Sequence, residues 1–585
     1  MNILVINLMR LGDLIQTSPV LRRLRAEYPG ARVTLLVMDV FQEAARLLEG
    51  VDRLILFPSL TLTAALDGQG GWPEAYRALR VWFAENLSPP PEMVINLTPN
   101  LLGAILSAAL GSRKIYGLAA DRRRGGFTLT PWASYGLIAS RARLANPFNL
   151  VDLFVRQAGL RPDGAGLEIA VPPEVYEEVG AAIRALGLPP ETSLVGILPG
   201  ASRPERQWPP ENFARTAEIL RQQHPCHFFV LGSSREAALG EVIRSRLPAG
   251  EVTQCQGRTS VAVLAAHLKH LDLLLTNDTG PMHLAAAVGT PVLALFLATA
   301  RVQDTGPAGR GHIALEPELS CHPCQEPCPR PRCHALLTPE AVAQWGLHLL
   351  GQSQVPPPAG AASPSPLRVY GSDIDPLGYQ VYLPLARRPL NRRDFWLWVH
   401  RLAWTNLLDG RPPEAWRTWL RNTLAGYYFP APEDPGVAAG QDALAELLDL
   451  AYRGREAARG ILRLADRGQP VRLQQKVEEI AAVDLALRRL AVGFPELASL
   501  VEFFFQEQRR QGESEMVPLA RELVRAYTNL HRLGSVFLAA LGELATELGF
   551  AGKIRPRLAQ EMQKVYPGRG NYRAKPGEYH AGDHQ

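Results

Sequence analysis

A β-turn-α rhythm runs through roughly the first 350 residues of the chain, and it begins twice. The first run opens with the apolar strand ILVINL, a glycine-bearing turn, a helical segment and a second strand, ARVTLLVM. The second run opens at SLVGILPG, residues 193–200, and continues through a helix to the strand HFFVLGS. Such alternation is typical of a parallel sheet covered by helices. The sequence therefore predicts an α/β fold with two similar domains in tandem and a cleft between them.

Changes in composition divide the rest of the chain. We predict a first α/β domain over 1–172 and a second over 173–352. The stretch SQVPPPAGAASPSP predicts an extended linker over 353–366. Residues 367–565 are rich in Leu, Ala, Arg and Glu at helical spacing, which predicts a mostly helical domain of unknown role. The polar, glycine-bearing residues 566–585 predict a disordered tail.

Composition and charge exclude several classes of protein. With 46% hydrophobic residues among 585, the chain is globular and too long for one core. A net charge of +5 does not demand nucleic acid as a partner, and we expect none. The N-terminus lacks the pattern of a signal peptide, and the longest apolar stretch, residues 284–300, is broken by Gly289 and Pro291. We expect a cytoplasmic protein, either free or bound peripherally to the inner face of the membrane.

The turn after the first strand carries two charges around a glycine, in the order Arg10, Gly12 and Asp13. In a doubly wound sheet this turn opens onto the ligand crevice at the carboxyl ends of the strands. Gly12 would let the backbone come close to a ligand, and Asp13 would point a carboxylate into the cleft. The alternative is that Asp13 only caps the next helix and Arg10 is solvated.

The segment GASRPERQWP, residues 200–209, ends a strand and places polar groups before a helix. The hydroxyl of Ser202 and the guanidinium groups of Arg203 and Arg206, together with backbone N–H groups, predict a phosphate cradle. An ordinary surface loop, with Trp208 filling the core, is the alternative.

The segment NDTGPMHLAAA, residues 277–287, leads from a strand into an alanine-rich helix. Asp278 and Thr279 end the strand, and Gly280 removes side-chain bulk where an anion would sit at the helix N-terminus. A capped, buried helix with His283 as a satisfied partner inside it is the alternative. The two interpretations are compatible.

Four cysteines lie within thirteen residues, in the segment CHPCQEPCPRPRC: Cys321, Cys324, Cys328 and Cys333. Four thiols can close a tetrahedral site, and in a reducing cytoplasm zinc is a more natural occupant than disulfides. In zinc sites, the two pairs of cysteine ligands are normally separated by a longer stretch of chain than here. The spacing resembles that of iron–sulfur clusters only loosely. A structural zinc ion, reduced thiols and disulfides all stay open.

In order and spacing, the segments RLGD, GASRPERQWP and NDTGPMHLAAA resemble the motifs of glycosyltransferase family 9, the lipopolysaccharide heptosyltransferases. The resemblance covers roughly residues 1–350 and nothing beyond the linker. It implies a GT-B fold, in which two Rossmann-like domains face each other across a cleft, with the acceptor on the N-terminal side and the nucleotide-sugar on the C-terminal side. The implied reaction is an inverting, metal-independent transfer of a heptose from ADP-heptose to a lipopolysaccharide core acceptor.

The resemblance also implies roles for individual residues, with no cofactor required for catalysis. Asp13 would be the general base for the acceptor hydroxyl. Arg10 would anchor the acceptor, a lipid-linked anionic glycan. Apart from the resemblance, the basic loop with Arg122 and Arg123 is a candidate surface for that anionic acceptor, and an ordinary solvated loop is the alternative. The nucleotide-sugar side would be formed by Ser202, Arg206, Asp278, Thr279, Gly280 and His283. Among these, Ser202, Arg206 and the backbone N–H groups at 279–280 would meet the charge of the diphosphate, Asp278 would hold sugar or ribose hydroxyls, and His283 would support the phosphate side.

The chain departs from the family pattern at two places. The usual lysine of the loop is Arg206 here, which keeps the charge but presents a planar fork. The segment TQCQ, residues 253–256, lacks the acidic residue that several heptosyltransferases place against the nucleotide ribose. Two alternatives therefore stay open: a family 9 transferase with another nucleotide-sugar or acceptor, and a nucleotide-sugar-binding scaffold without catalysis.

Overall fold

The computed structural model describes residues 1–68, 71–121, 126–324, 328, 331–352, 366–411, 416–429, 434, 436–465, 469–509 and 515–549. The strands are β1 (Asn2–Asn7), β2 (Arg32–Met38), β3 (Arg53–Phe57), β4 (Met93–Asn96), β5 (Lys114–Ala120), β6 (Phe127–Leu129), β7 (Ser193–Leu198), β8 (Cys226–Val230), β9 (Val252–Gln254), β10 (Leu273–Asn277), β11 (Val292–Leu295), β12 (Ile313–Pro317), β13 (Leu367–Ile374), β14 (Gln380–Pro384), β15 (Arg388–Pro389) and β16 (Tyr428–Phe429). The α-helices are α1 (Leu11–Ile15), α2 (Ser18–Glu27), α3 (Gln42–Ala45), α4 (Ser59–Asp67), α5 (Gly71–Asn86), α6 (Leu101–Ala109), α7 (Pro131–Ala139), α8 (Leu150–Gln157), α9 (Pro173–Arg184), α10 (Pro210–Gln223), α11 (Ala237–Arg244), α12 (Val261–His270), α13 (Gly280–Ala287), α14 (Val302–Thr305), α15 (Cys333–Leu336), α16 (Pro339–Leu349), α17 (Arg392–Asp409), α18 (Arg417–Tyr427), α19 (Val437–Leu464), α20 (Pro470–Gly493), α21 (Ala498–Arg509) and α22 (Met516–Glu547).

The first sheet contains parallel strands in the order β3-β2-β1-β4-β5. Along β1 the side chains alternate, because successive residues of a strand point to opposite faces. Ile3 and Val5 pack into a core with α1, α2 and α8, whereas Leu4 and Ile6 pack into a second core on the other face. The sheet is therefore covered on both faces, as the apolar strands predicted.

The second sheet contains parallel strands in the order β9-β8-β7-β10-β11-β12. Both sheets thus follow the strand order of a Rossmann fold, with the first strand at the centre and the order reversing beside it. This arrangement confirms the predicted α/β class with two Rossmann-like folds, the GT-B arrangement that the resemblance implied.

Two further strands, β13 and β14, continue the second sheet in antiparallel pairing after β12. The prediction that the chain is helical from residue 367 is wrong for these strands. Their residues are mostly buried, and all five of β14 are, so their apolar side chains extend the core of the sheet instead of a helical bundle. The predicted linker, apart from Pro366, and the predicted tail at 566–585 lie outside the described residues.

The chain divides into two compact units. The first comprises Met1–Ala120 with Phe148–Arg388, and the second Asp121–Pro147 with Pro389–Gln585. The predicted first domain, 1–172, is therefore not continuous, because residues 121–147 belong to the helical unit.

Contacts within the second unit explain this excursion. Six of the nine residues of α7 are buried. The indole N–H of Trp132 donates to Asp409 Oδ1 at 2.9 Å, and the hydroxyl of Ser134 donates to Gln506 Oε1 at 3.1 Å. The ring of Tyr135 lies 4.9 Å from that of Trp404. A helix that is apolar on most sides needs partners all round, and here they come from α17 and α21.

The described residues of the second unit beyond 389 are mostly helical, as predicted. Long helices α19, α20 and α22 pack around a core that includes Trp396 and Trp404, both nearly inaccessible to solvent. Among the described residues, no helix combines the length and the apolar character that crossing a membrane requires.

Candidate active site

A cavity of about 540 Å³ lies inside the first unit, where β1, β7, β8 and β10 end. Its lining includes eight residues that the sequence singled out: Arg10, Asp13, Ser202, Arg206, Asp278, Thr279, Gly280 and His283. The three motifs, separated by more than 260 residues along the chain, therefore meet in one cavity because each follows the carboxyl end of a parallel strand.

The buried side chain of Asn7 fixes the segment that carries Asp13. Asn7, at the end of β1, donates through Nδ2 to the carbonyl oxygen of Asp13 at 3.1 Å and to the hydroxyl of Thr17 at 2.7 Å. The Asp13 carboxylate accepts a hydrogen bond from the backbone N–H of Arg10 at 3.2 Å. Burial raises the pKa of Asp13, and the Arg10 N–H and the Arg10 charge oppose that shift. Asp13 is thus both a helix cap and a cavity carboxylate.

Helices α1 and α13 meet at two glycines. A Cβ added to Gly12 would lie 2.9 Å from Cδ2 of His283, and one added to Gly280 would lie 3.3 Å from the nitrogen of Gly12. Side chains at either position would push the helices apart. We expected both glycines to make room for a ligand. In the structure, the absence of their side chains also allows α1 and α13 to pack closely together.

His283 is the partner of a residue that the sequence analysis did not single out. Its Nε2 lies 3.3 Å from the side-chain nitrogen of Gln16, whose amide also donates to the carbonyl of Gly12 at 3.2 Å. Burial lowers the pKa of His283 to about 4, so the imidazole is neutral at physiological pH. His283 therefore lies at the contact between α1 and α13 and also lines the cavity, and its support of a phosphate stays a prediction.

Arg206 contacts the side chains of Thr299 and Asp278 at the edge of the cavity. Its Nε donates to Thr299 Oγ1 at 2.7 Å, and its Nη1 lies 3.3 Å from Asp278 Oδ2. Asp278 also accepts from the hydroxyl of Thr305 at 3.2 Å through its other oxygen. The guanidinium is therefore positioned at the edge of the cavity, beside the N-terminal end of α13, where the helix dipole favours an anion.

Hydrogen bonds from Asn277 fix the loop that carries Arg206. The side chain of Asn277 donates to the carbonyls of Pro199 and Gly200 and accepts from the backbone N–H of Trp208. Trp208 is fully buried, so the interpretation that this tryptophan fills the core is right, and the phosphate cradle stays a prediction. Arg203 does not line the cavity; it is half-exposed and lies 3.7 Å from Glu205.

A second carboxylate in the cavity escaped the sequence analysis. Glu236 follows β8 and accepts hydrogen bonds from the backbone N–H and the hydroxyl of Ser233 at 2.6 and 2.9 Å. A Cβ added to Gly200 would lie 1.5 Å from Glu236 Oε1, so this carboxylate needs glycine opposite it. The S-x-x-E spacing at 233–236, directly after the second strand of a Rossmann fold, was the available signal.

The remaining predicted residues are those of the basic loop and of the cysteine cluster. Arg122 and Arg123 lie outside the described residues. All six cysteines are free thiols, and within the described residues no group of three or more His, Cys, Asp or Glu side chains has the geometry to hold a metal ion. Burial raises the pKa of Cys324 and Cys333, which favours neutral thiols in this arrangement. A structural zinc ion at Cys321, Cys324, Cys328 and Cys333 stays a prediction.

Comparison with known proteins identifies relatives of the first unit. Residues 91–334 match a sequence model of glycosyltransferase family 9 (heptosyltransferase). Lipopolysaccharide heptosyltransferase 3 of Escherichia coli K12 is 24% identical over 304 residues, which cover 50% of this chain and 81% of that protein. Lipooligosaccharide heptosyltransferase 2 of Campylobacter jejuni is 28% identical over 167 residues, so the match spans 28% of this chain and about half, 52%, of that relative.

Solved structures resemble the same part of the chain. A family 9 glycosyl transferase from Veillonella parvula superposes with a TM-score of 0.48 at 22% identity and covers 60% of this chain and 97% of its own. E. coli ADP-heptose LPS heptosyltransferase II does so with a TM-score of 0.46 at 19% identity, covering 60% and 99%. The family match contains the Arg206 loop and the start of α13, and it leaves Asp13 outside. The α/β part of this chain is therefore similar to glycosyltransferase family 9 (heptosyltransferase), whose model matches residues 91–334.

Proposed function

We propose that this chain is a heptosyltransferase that moves a heptose from a nucleoside-diphosphate donor to a hydroxyl of a lipopolysaccharide core acceptor. The observation that carries the proposal is one cavity with a carboxylate of raised pKa on one wall and an arginine beside a helix N-terminus on another. These are the groups that a transfer from a diphosphate-activated sugar requires. The names of the relatives support heptose as the sugar and lipopolysaccharide as the acceptor.

In the proposed reaction, Asp13 is the general base. The acceptor oxygen forms a bond to the anomeric carbon, the bond from that carbon to the phosphate oxygen breaks, and the acceptor proton passes to the Asp13 carboxylate. Attack on the face opposite the leaving phosphate inverts the configuration at the anomeric carbon. A raised pKa makes Asp13 a stronger base than an ordinary aspartate, which helps as the hydroxyl acidifies in the transition state.

The departing diphosphate needs charge stabilisation, and we propose that the protein supplies it without a metal ion. Arg206 offers a planar fork of donors, and the N-terminal end of α13 at Thr279 and Gly280 offers backbone N–H groups in the same cavity. Ser202 adds a hydroxyl at the rim. We expect transfer to proceed at the same rate in the presence of a chelator, and a rate restored only by a divalent cation would contradict this part of the proposal.

Glu236 is proposed to bind the ribose. In Rossmann folds an acidic side chain after the second strand accepts hydrogen bonds from ribose hydroxyls. Glu236 lies at that position after β8. Both Glu236 and Gln256, the last residue of the TQCQ segment, lie next to Gly232. Glu236 therefore supplies the carboxylate that TQCQ lacks. We propose ADP as the donor nucleotide, as the family resemblance implied.

The first test is a thermal-shift titration of the full chain against ADP, UDP, GDP and CMP, followed by a transfer assay with ADP-heptose. Stabilisation by ADP and consumption of ADP-heptose are expected. Selective stabilisation by another nucleotide would favour a different donor. Binding without turnover of any donor sugar would favour the scaffold alternative.

A further inference from the structure

The antiparallel strands β13 and β14 lie outside the segment that matches family 9, which ends at residue 334. They form a hairpin at the edge of the second sheet, and all five residues of β14 are buried. Two side chains of this hairpin are linked to α14: Arg368 pairs with Glu316, which contacts the first residue of α14, and Tyr382 contacts the residues that follow α14.

Helix α14 carries a hydroxyl of the donor side of the cavity. Thr305, its last residue, lines the cavity and donates to Asp278 Oδ1 at 3.2 Å, while Asp278 Oδ2 lies 3.3 Å from Arg206 Nη1. A helix of four residues has no independent stability, so its neighbours must fix its position. The orientation of Asp278 and Arg206 therefore depends on what holds α14.

The hairpin stabilises the start of α14 through a buried ion pair. Glu316 on β12 is fully buried and accepts from the backbone N–H of Val302 at 3.3 Å. Glu316 and Arg368 are register partners across β12 and β13, and Arg368 Nη1 lies 3.7 Å from Glu316 Oε2. A buried carboxylate needs a compensating cation, which the hairpin provides here together with the contact of Arg368 to Glu318 at 2.6 Å.

The hairpin also holds the end of α14. The phenol of Tyr382 donates to the carbonyl of Pro307 at 3.3 Å and accepts from the side-chain amide of Asn149 at 2.8 Å. The same amide donates to the carbonyl of Gly306 at 3.3 Å. A Cβ added to Gly306 would lie 2.5 Å from the Tyr382 ring, so the ring packs directly on the residue that follows Thr305.

We propose that the β13–β14 hairpin is a positioning element of the donor site and that Tyr382 is its positioning residue. Its phenol and ring fix residues 306–307, and thereby Thr305, so that Asp278 holds Arg206 in the orientation that receives a diphosphate. The inference deepens the proposed function and rests on it for the identity of the ligand. It makes Tyr382, a residue beyond the family-matching segment, a positioning residue of the donor site.

The test compares Tyr382→Phe with Tyr370→Phe in the full chain. Tyr370 is a matched control, because it is a buried tyrosine of the same hairpin whose hydroxyl accepts a hydrogen bond from Arg388. We expect Tyr382→Phe to weaken binding of the nucleoside diphosphate, measured by titration calorimetry, and to raise the donor KM, each by about tenfold, as loss of hydrogen bonds to a fixed group implies. Tyr370→Phe should leave both unchanged.

A second variant separates positioning from general loss of stability. Thr305→Val should reproduce the loss of affinity, and adding Tyr382→Phe to it should cost little more, because the two act through one contact. Wild-type affinity and KM in Tyr382→Phe, whatever its Tm, would overturn the inference, as would fully additive effects. A chain that binds a nucleoside diphosphate but transfers no sugar would overturn the proposed reaction alone, whereas a wild-type chain that binds none would overturn both.

Discussion

At the scale of single residues, Asp13 is both a helix cap and the proposed general base. Its carboxylate accepts the Arg10 N–H, as a helix cap would, and it lines the cavity. In Asp13→Asn the side-chain oxygen can still accept that hydrogen bond, but the amide cannot take a proton. We expect kcat to fall by at least about 100-fold with nucleotide affinity unchanged, since general bases contribute that much. Steady-state kinetics and calorimetric titration check this, and weaker nucleotide binding would contradict the assignment.

The raised pKa of Asp13 also predicts a pH dependence with a definite sign. The carboxylate is harder to ionise in the folded chain than in the unfolded one. The ionised form therefore destabilises the fold above the folded pKa, and that cost disappears as pH falls through it. Asp13→Asn should raise Tm at neutral pH, with a difference that shrinks on acidification. The acid limb of kcat/KM should start above the ordinary range of aspartate in the wild type, and an acid limb retained unchanged in the variant would identify another group.

The variant Arg206→Lys tests whether donor binding requires the planar guanidinium group or only a positive charge. Arg206→Lys keeps a cation but loses the Nε donor to Thr299 at 2.7 Å. We expect the donor KM to rise about tenfold with a smaller change in kcat, because lysine does not replace a fixed bidentate donor. Arg203→Lys, at a half-exposed residue outside the cavity lining, is the matched control. Equal kinetics in both variants would show that the charge alone suffices.

At the scale of elements, the contact between α1 and α13 fixes the position of Asp13, the proposed base, relative to the proposed phosphate-binding groups. In Gly12→Ala the new Cβ would lie 2.9 Å from His283 Cδ2, a buried ring that has little room to move. Helix α1 must shift, and displacement of a reacting group by about 1 Å can cost about 100-fold in rate. We expect that loss in kcat. Gly30→Ala, with no atom within 4 Å of the new Cβ, should have wild-type activity, and a wild-type rate in Gly12→Ala would mean that the contact does not position Asp13.

At the scale of the whole molecule, each unit has its own core. We expect calorimetry to resolve two unfolding transitions, with a bound nucleoside diphosphate raising only that of the first unit. Trp404→Ala should lower only the transition of the second unit, by about 3–5 kcal/mol in the free energy of unfolding, since Trp404 is fully buried there. Trp72→Ala, at a side chain 72% exposed in the first unit, should move neither. A single transition that moves as a whole in every case would contradict this division.

The sequence predicted the central strands of both sheets and the three cavity motifs, because buried strands and glycine turns are local patterns. Glu236 was not predicted as a cavity residue, because its S-x-x-E spacing looks like an ordinary helix cap until the strand order is known. The β13–β14 hairpin was not predicted, because its short apolar segments lie between a linker and a helical region. The assignment of α7 to the second unit could not be read from sequence, because its partners at Asp409 and Gln506 lie far along the chain.

The excursion at residues 121–147 has a consequence for synthesis on the ribosome. The chain cannot complete its units one after the other, because the first needs residues up to 388 and the second includes a helix made long before its partners. At typical rates of about 5–20 residues per second, α7 emerges many seconds ahead of α17 and α21. During that interval its apolar side chains have no native partner. The nascent chain must therefore carry an exposed hydrophobic helix, the kind of segment that chaperones bind, until α17 and α21 have been synthesised.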